Sequence, residues 1–250
     1  IGGENKKAIN ALKDIYLEWV DESKILSTNL WSSELSKLIA NAFLAQRISS
    51  INTVSALCEQ TGADISEVSL AIGSDKRIGK YFLEAGPGFG GSCFKKDILC
   101  LTYICQHYGL SQVSKYWEEV IEINNWQKKR ITNLVIEKLF GTISQKKIAI
   151  LGFSFKGNTN DTRESPAIDI CKELLEEDCY LSIYDPKVSV KQISIDLEKP
   201  CTEPNKIINQ AGKWSFSRSI MDASKNADAI IILTEWEEFK TIDWSQIAVN

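Results

Sequence analysis

The chain has 250 residues, a formal net charge of −4 and 25% charged residues. That length suits one large or two small domains with a substantial core, and the charge balance excludes a partnership with nucleic acid driven by charge. The basic run Lys128-Lys129-Arg130 reads as a solvated helix face. No apolar run, "AIIIL" at 229–233 included, approaches the ~20 residues of a membrane-crossing helix, so no membrane association is expected. The first residues carry no signal-peptide core. Seven cysteines without Cys-x-x-Cys spacing, most of them in apolar patterns, indicate a reduced, cytoplasmic chain with several buried thiols. With His107 as the one histidine, a metal site is not expected. Catalysis by a Ser-His-Asp or Cys-His pair would have to use that residue, which sits near a helix end.

In chain order, "IGG" at 1–3 reads as the end of a strand, Ala8, Leu12, Ile15 and Trp19 mark a helix, and "KILS" at 24–27 reads as a short strand. Residues 1–28 thus look like the last unit of an α/β domain whose earlier part lies outside this sequence. A long helix is expected from Ser33 to Thr61, closed by Gly62, and Asp64 with Glu67 opens another. A third helix is expected from Ser92, and a fourth over 111–139. Residues 29–140 therefore form an all-helical block. Beyond it the texture changes. "KKIAILGF" (146–153), "CYLSIYDP" (179–186), "KWSFS" (213–217) and "ADAIIILT" (227–234) read as strands, and Ser165-Pro166 as a helix start. Strands alternating with helices over 141–250 predict a Rossmann-like, doubly wound parallel sheet, making the chain α/β with a helical central domain.

Three stretches carry chemistry. In "GPGFGGSCFKKD" (86–97), four glycines let a ligand approach the backbone closely. Ser92 is placed to cap a helix, with Cys93 at its first position, where free amides and the helix dipole favour a nucleophilic thiolate. Asp97 follows one turn deeper on the same face. A glycine hinge beside a buried cysteine fits this loop equally well. In "SKLIANAFLAQ" (36–46), Lys37 and Asn41 are one turn apart, and Ile39 to Ala45 is apolar on every side except Asn41, which predicts a buried helix. An amine and an amide aimed into a closed space suit a developing oxyanion; a lysine stem lying over a satisfied core asparagine is the alternative. Finally, "GFSFKGNTNDTRES" (152–165) lies between a strand and a helix, where α/β sheets bind phosphates, but it is neither G-x-G-x-x-G nor a P-loop. Lys156 and Arg163 could meet a diphosphate. Asp185 stands where a ribose-binding acid would, or closes a plain turn.

Taken together, "SELSKLIANAFLAQR" (33–47), "GFGGSCFKKD" (88–97) and "GFSFKGNTNDTRES" resemble the UDP-glucose dehydrogenase family, in the same order and over essentially the whole chain. The resemblance implies oxidation of the C6 hydroxyl of UDP-glucose to a carboxylate, with two NAD+ consumed. It makes Cys93 the nucleophile that captures the aldehyde, Lys37 and Asn41 oxyanion donors, and Asp97 the group that positions water. It implies that the stretch from Phe82, Leu83 and Glu84 to Phe89 and Gly90, with Phe94, lines the sugar-nucleotide pocket. Phe155 and Lys156 would hold the nucleotide and Arg163 would reach toward the cofactor. Arg77 would serve the neighbouring subunit in a homodimer built on the long helix. The family's G-x-G-x-x-G is not in this sequence, so the chain is expected to lack most of the NAD-binding domain, to carry a shortened C-terminal domain and to be inactive alone. A nucleotide-sugar-binding or dimerisation module without chemistry, a dehydrogenase for another nucleotide sugar, and a scaffold with a structural cysteine remain as alternatives.

Overall fold

The computed structural model describes residues 1–203, 212–244 and 247; the end of the expected C-terminal domain lies outside them. Helix α1 (Lys6–Leu17) starts at Asn5, whose side chain accepts from the amides of Lys7 and Ala8. The strand expected over 24–27 reduces to one parallel bridge, Gly2 with Thr28. Asp21 accepts from the Ser23 amide at 2.9 Å and closes a one-turn 3-10 helix over Glu22–Lys24, which removes the residues a longer ladder would need.

Four helices make the central block: α2 (Leu30–Thr61), α3 (Ile65–Gly73), α4 (Phe94–His107) and α5 (Ser111–Lys138). Asn29 caps α2, three residues earlier than the pattern predicts, and Gly62 ends it at φ 76°. Asp64 caps α3 through the Ser66 amide. Ala42 and Ala45 bring α2 close to α4 and α5, where Ile98, Leu101, Val120 and Ile121 fill the core. Further along, Ile51 and Cys58 of α2 are buried as well, but part of the helix stays uncovered. Phe43 is 53% exposed and Leu57 63%, so the expected all-round burial does not occur. The far end of α5 turns Ile131, Val135, Ile136 and Leu139 onto the sheet, so one continuous helix belongs to both halves. Lys128 is buried and paired with Asp169 at 2.5 Å, and Arg130 is paired with Glu59 at 2.5 Å. Of the basic run, Lys129 alone is the solvated residue the sequence suggested.

Strands β1 (Lys147–Leu151), β2 (Tyr180–Tyr184), β3 (Lys213–Phe216) and β4 (Ala229–Ile232) form a parallel sheet in the order β3-β2-β1-β4. Helices α6 (Pro166–Glu176), α7 (Val190–Leu197) and α8 (Ile220–Ser224) make the crossovers, giving the doubly wound fold the sequence predicts. Ile148 and Ile150 face α6 and α7, while Ala149 and Leu151 face Ala223 of α8, Trp236 and Phe239 of α9 (Glu237–Lys240).

Strand order reverses between β1 and β4, the place where such sheets hold nucleotides. Here the protein fills it. Gly152 (φ 89°) leaves no room for a side chain, since a Cβ would stand 2.5 Å from that of Thr234. Thr234 donates to the Ser154 carbonyl at 2.7 Å. Asp185, 3% exposed, accepts from the amides of Phe153 (2.7 Å), Ser154 (3.1 Å), Lys187 and Val188 (both 2.9 Å), and from the Trp236 indole (3.3 Å). Its oxygens are therefore spent on the fold, and it closes a turn rather than awaiting a ribose. Asp185→Ala would strand these donors in a buried place, and is expected to cost about 3–5 kcal/mol. Urea unfolding of the variant would measure this, and a loss below about 1 kcal/mol would contradict the structural role.

Candidate active site

The glycine loop and the start of α4 place Cys93 at the surface, as the N-cap residue of α4 rather than its first helical residue. Ser92 makes no cap bond; its hydroxyl lies 3.8 Å from the Cys93 sulfur. The first amides of α4 thus lack a side-chain acceptor, which leaves positive potential beside the sulfur. A thiolate at Cys93 would lie within electrostatic reach of Lys37 and Arg163.

One turn below, Asp97 is 2% exposed. Its Oδ2 accepts from Lys37 Nζ and, at 2.6 Å, from Asn41 Nδ2. The one-turn spacing on α2 brings both donors to one oxygen. Burial alone would raise the Asp97 pKa, but the bonds from Lys37 and Asn41, with the charges of Lys37 and Lys96, outweigh it and hold it below 3.8. The same bond raises Lys37 above its usual 10.5. Lys37 itself is 59% exposed and Asn41 half-buried, so the donors reach the surface and are not sealed in a core. Oδ1 has Lys96 Nζ 4.0 Å away.

Three of the four glycines serve a purpose the sequence did not suggest, because their open sides meet protein, while Gly86 faces open space. A Cβ on Gly88 (φ 130°) would stand 2.7 Å from Asn124 Oδ1, one on Gly91 (φ 84°) 2.9 Å from the Phe155 ring, and one on Gly90 would strike the Glu164 carbonyl. The Gly91 amide donates to the Arg163 carbonyl at 2.8 Å, and Lys95 pairs with Glu164 at 2.8 Å. The loop is thereby fastened to the 152–165 strap. Between loop and α5 there is a space of about 10 Å³, room for one water.

The other predicted residues divide. Phe155 and Lys156 sit together on the strap, with the ammonium 5.5 Å from the ring centroid. Arg163 is exposed and paired with Asp161 at 2.7 Å. Phe89 and Phe94 turn their rings edge to face (5.8 Å) within the helical core, which takes the Phe89 side chain away from any ligand. Leu83 and Glu84, with Ser66, Ser69 and Lys80, line a cleft of about 620 Å³ beside α3. Phe82 precedes it at φ 60°, half-exposed. Arg77 points into solvent on a separate turn, 89% exposed and paired with Asp75, and does not reach Cys93 of its own chain. Residues the sequence reading missed are Asn52, Asn124 and Gln127, which bond the loop backbone, and Arg47, whose guanidinium donates to the carbonyls of Ile78, Gly79 and Tyr81. Polar residues on buried helix faces were the available signal.

Among the described residues, no group of three or more His, Cys, Asp or Glu could hold a metal ion, and no helix is long and apolar enough to cross a membrane. The switch point of the sheet is filled, and residues 1–28 offer an apolar hollow between Leu12, Tyr16, Val20 and Leu26 without a glycine-rich turn.

Asp97 gives the site a pH signature. Its lowered pKa means that the stability it contributes is fully present above about pH 4–5 and is lost as pH falls through its folded value. With Lys37 partly solvated, Asp97→Asn is expected to cost about 1–2 kcal/mol at pH 7. Urea titrations of both proteins should converge only as the pH falls below the folded-state value of Asp97, and a pH-independent difference would refute the assignment.

Comparison with known proteins identifies the family. The family model "UDP-glucose/GDP-mannose dehydrogenase family, central domain" matches residues 31–126, and that family's "UDP binding domain" matches 149–250. The chain is 52% identical over 261 residues to UDP-glucose 6-dehydrogenase 4 of Arabidopsis thaliana, covering 100% of this chain and 54% of the relative. It is 53% identical over 265 residues to UDP-glucose 6-dehydrogenase 1 of Glycine max, with the same two coverages. A solved UDP-glucose dehydrogenase from the archaeon Pyrobaculum islandicum superposes with a TM-score of 0.83 at 29% identity, over 97% of this chain and 52% of that one. The chain thus spans about half the length of the relatives it matches. With both of its matched segments falling on the helical block and the sheet that frame Cys93, the chain belongs to the UDP-glucose/GDP-mannose dehydrogenase family.

Proposed function

We propose that this chain carries the covalent and sugar-nucleotide-binding part of an NAD-dependent UDP-glucose 6-dehydrogenase. The observation that carries the proposal is the meeting of Lys37, Asn41 and Asp97 one turn below an exposed cysteine at a helix start. The helical block 29–140 supplies these groups. The sheet block 141–250 supplies the strap with Phe155 and Lys156, and residues 1–28 are the last unit of a cofactor domain. Strap and cysteine loop are in direct contact, which supports one ligand spanning both.

In this mechanism the Cys93 thiolate attacks the C6 aldehyde, a C–S bond forms, and the carbonyl π pair moves to oxygen. Lys37 has three N–H donors and Asn41 two, so each can keep its bond to Asp97 and still offer one to the oxyanion. Once the adduct is a thioester, water held by Asp97 Oδ1 attacks the acyl carbon. The C–S bond breaks and the thiolate of Cys93 leaves. The water gives up two protons to solvent, one as it attacks and one as the product acid ionises to a carboxylate, and the site returns to its starting charge. The two hydride acceptances that turn the alcohol into the aldehyde and the thiohemiacetal into the thioester would be supplied by NAD+ when bound.

The relatives' names favour UDP-glucose as the sugar nucleotide. The uncovered face of α2, with Phe43 and Leu57, supports a homodimer through that helix, in which Arg77 is free to serve the partner's site. Site-resolved alkylation tests the proposal. Cys93 is expected to react at least about tenfold faster than Cys100 or Cys201, which are also exposed, and to be protected by UDP-glucose. Equal rates for the three thiols, or no protection, would refute it.

A further inference from the structure

Beyond the groups that touch substrate, the backbone of the glycine loop is held by three buried amides. Asn124, 4% exposed on α5, accepts from the Phe89 amide at 2.7 Å and donates to the Phe89 carbonyl at 3.1 Å. Gln127, 2% exposed and one turn on, donates to the Gly86 carbonyl at 2.8 Å. Asn52, wholly buried on α2, accepts from the Gly86 amide at 2.9 Å. Both polar backbone groups of Gly86 and both of Phe89 are thereby bound by side chains from the two helices. The arrangement copies the pairing of a strand edge, with amide side chains in place of a neighbouring strand.

Each amide has its orientation fixed. The Gln127 oxygen accepts from Arg130 at 3.1 Å, and Arg130 pairs with Glu59 on α2, so the Gln127 NH2 must face Gly86. Gly88 has no side chain because Asn124 Oδ1 occupies its open side. The Asn52 nitrogen has no hydrogen-bond partner among the described residues, which is costly for a buried amide. Retaining it there makes sense if the bond to Gly86 is what matters.

We propose that Asn124, Gln127 and Asn52 are positioning residues that set where the Cys93 sulfur stands relative to Lys37 and Arg163. This rests on the reading of Cys93 as the nucleophile. Cys93 follows Phe89 by four residues, three of them Gly90, Gly91 and Ser92, so the segment has little stiffness of its own. Its place is imposed by the clamp at Gly86 and Phe89 on one side and by the Gly91–Arg163 bond on the other. α2 carries Lys37 and Asn41 as well as Asn52, so one helix fixes both the loop and the oxyanion donors.

The test combines Asn124→Ala and Gln127→Ala with two measurements on this chain. Iodoacetamide labelling is followed site by site, with Cys100 as the exposed control on the same helix and Cys58 and Cys105 as buried controls. Hydrogen exchange is read on the peptide covering 86–93. Each variant is expected to lower the Cys93-to-Cys100 rate ratio by at least about threefold and to speed exchange of 86–93 by about tenfold, with Cys58 and Cys105 still protected. A general loss of folding would label those two buried thiols as well. Should Asn124→Ala do that, Gln127→Ala decides on the same two measurements. An unchanged ratio with unchanged exchange overturns the positioning role. A wild-type Cys93 no faster than Cys100 refutes the nucleophile reading instead, and exchange alone then decides whether the amides hold the loop.

Discussion

A buried carboxylate is the constraint on which the helical half depends. Taking an ion such as Asp97 out of water costs several kcal/mol unless its oxygens are bonded. Two charge-assisted bonds, of about 1.5–3 kcal/mol each, offset that cost. Both donors come from α2, and this ties the start of α4 to α2 at one point. Because Cys93 is the residue on which α4 begins, the same contact sets the sulfur beside a cation. One carboxylate thus joins two helices, and its second oxygen lies 4.0 Å from Lys96 Nζ.

A different solution holds the sheet half together. A doubly wound sheet leaves a crevice at its switch point, and many proteins keep it open for a nucleotide. In this chain Gly152 and Thr234 close on each other there, and Asp185 collects the amides of the strap together with the Trp236 indole. The strap is pushed outward as a result, and Phe155 reaches the glycine loop of the other half. A ligand binding at Phe155 and Lys156 therefore lies against the cysteine loop, not deep in the sheet.

Much of the fold was legible in the residues. β1, β2, β3 and β4 all fall within the apolar runs that announce them, and Gly62, Asp64 and Ser165 end or begin helices as their side chains dictate. Local rules failed where tertiary partners decide. The segment 24–27 has strand composition but only one bridge to pair with. Lys128 looks like surface and is buried, because Asp169 of α6 waits opposite it. The Lys37–Asn41 spacing was visible, and so was Asp97, but nothing local joins residues 56 and 60 positions apart to one oxygen. Asn52, Asn124 and Gln127 were unreadable for the same reason: each is an ordinary polar residue until its partner backbone is known.

The glycines show how far a motif can mislead even when it marks the right place. Glycine in such a loop suggests that a ligand needs the room, yet at Gly88, Gly90 and Gly91 the room is taken by Asn124, Glu164 and Phe155. Close approach of the protein to its own backbone requires the missing Cβ just as a phosphate would. A loop packed this tightly from two sides has few conformations left, and its entropy was lost on folding rather than on binding. A nucleophile held on such a loop meets its substrate without having to be ordered first, which is the condition under which orientation lowers a barrier. The near-pure backbone of 86–91 is thus best understood as rigid, and its rigidity comes from side chains that lie elsewhere in the sequence.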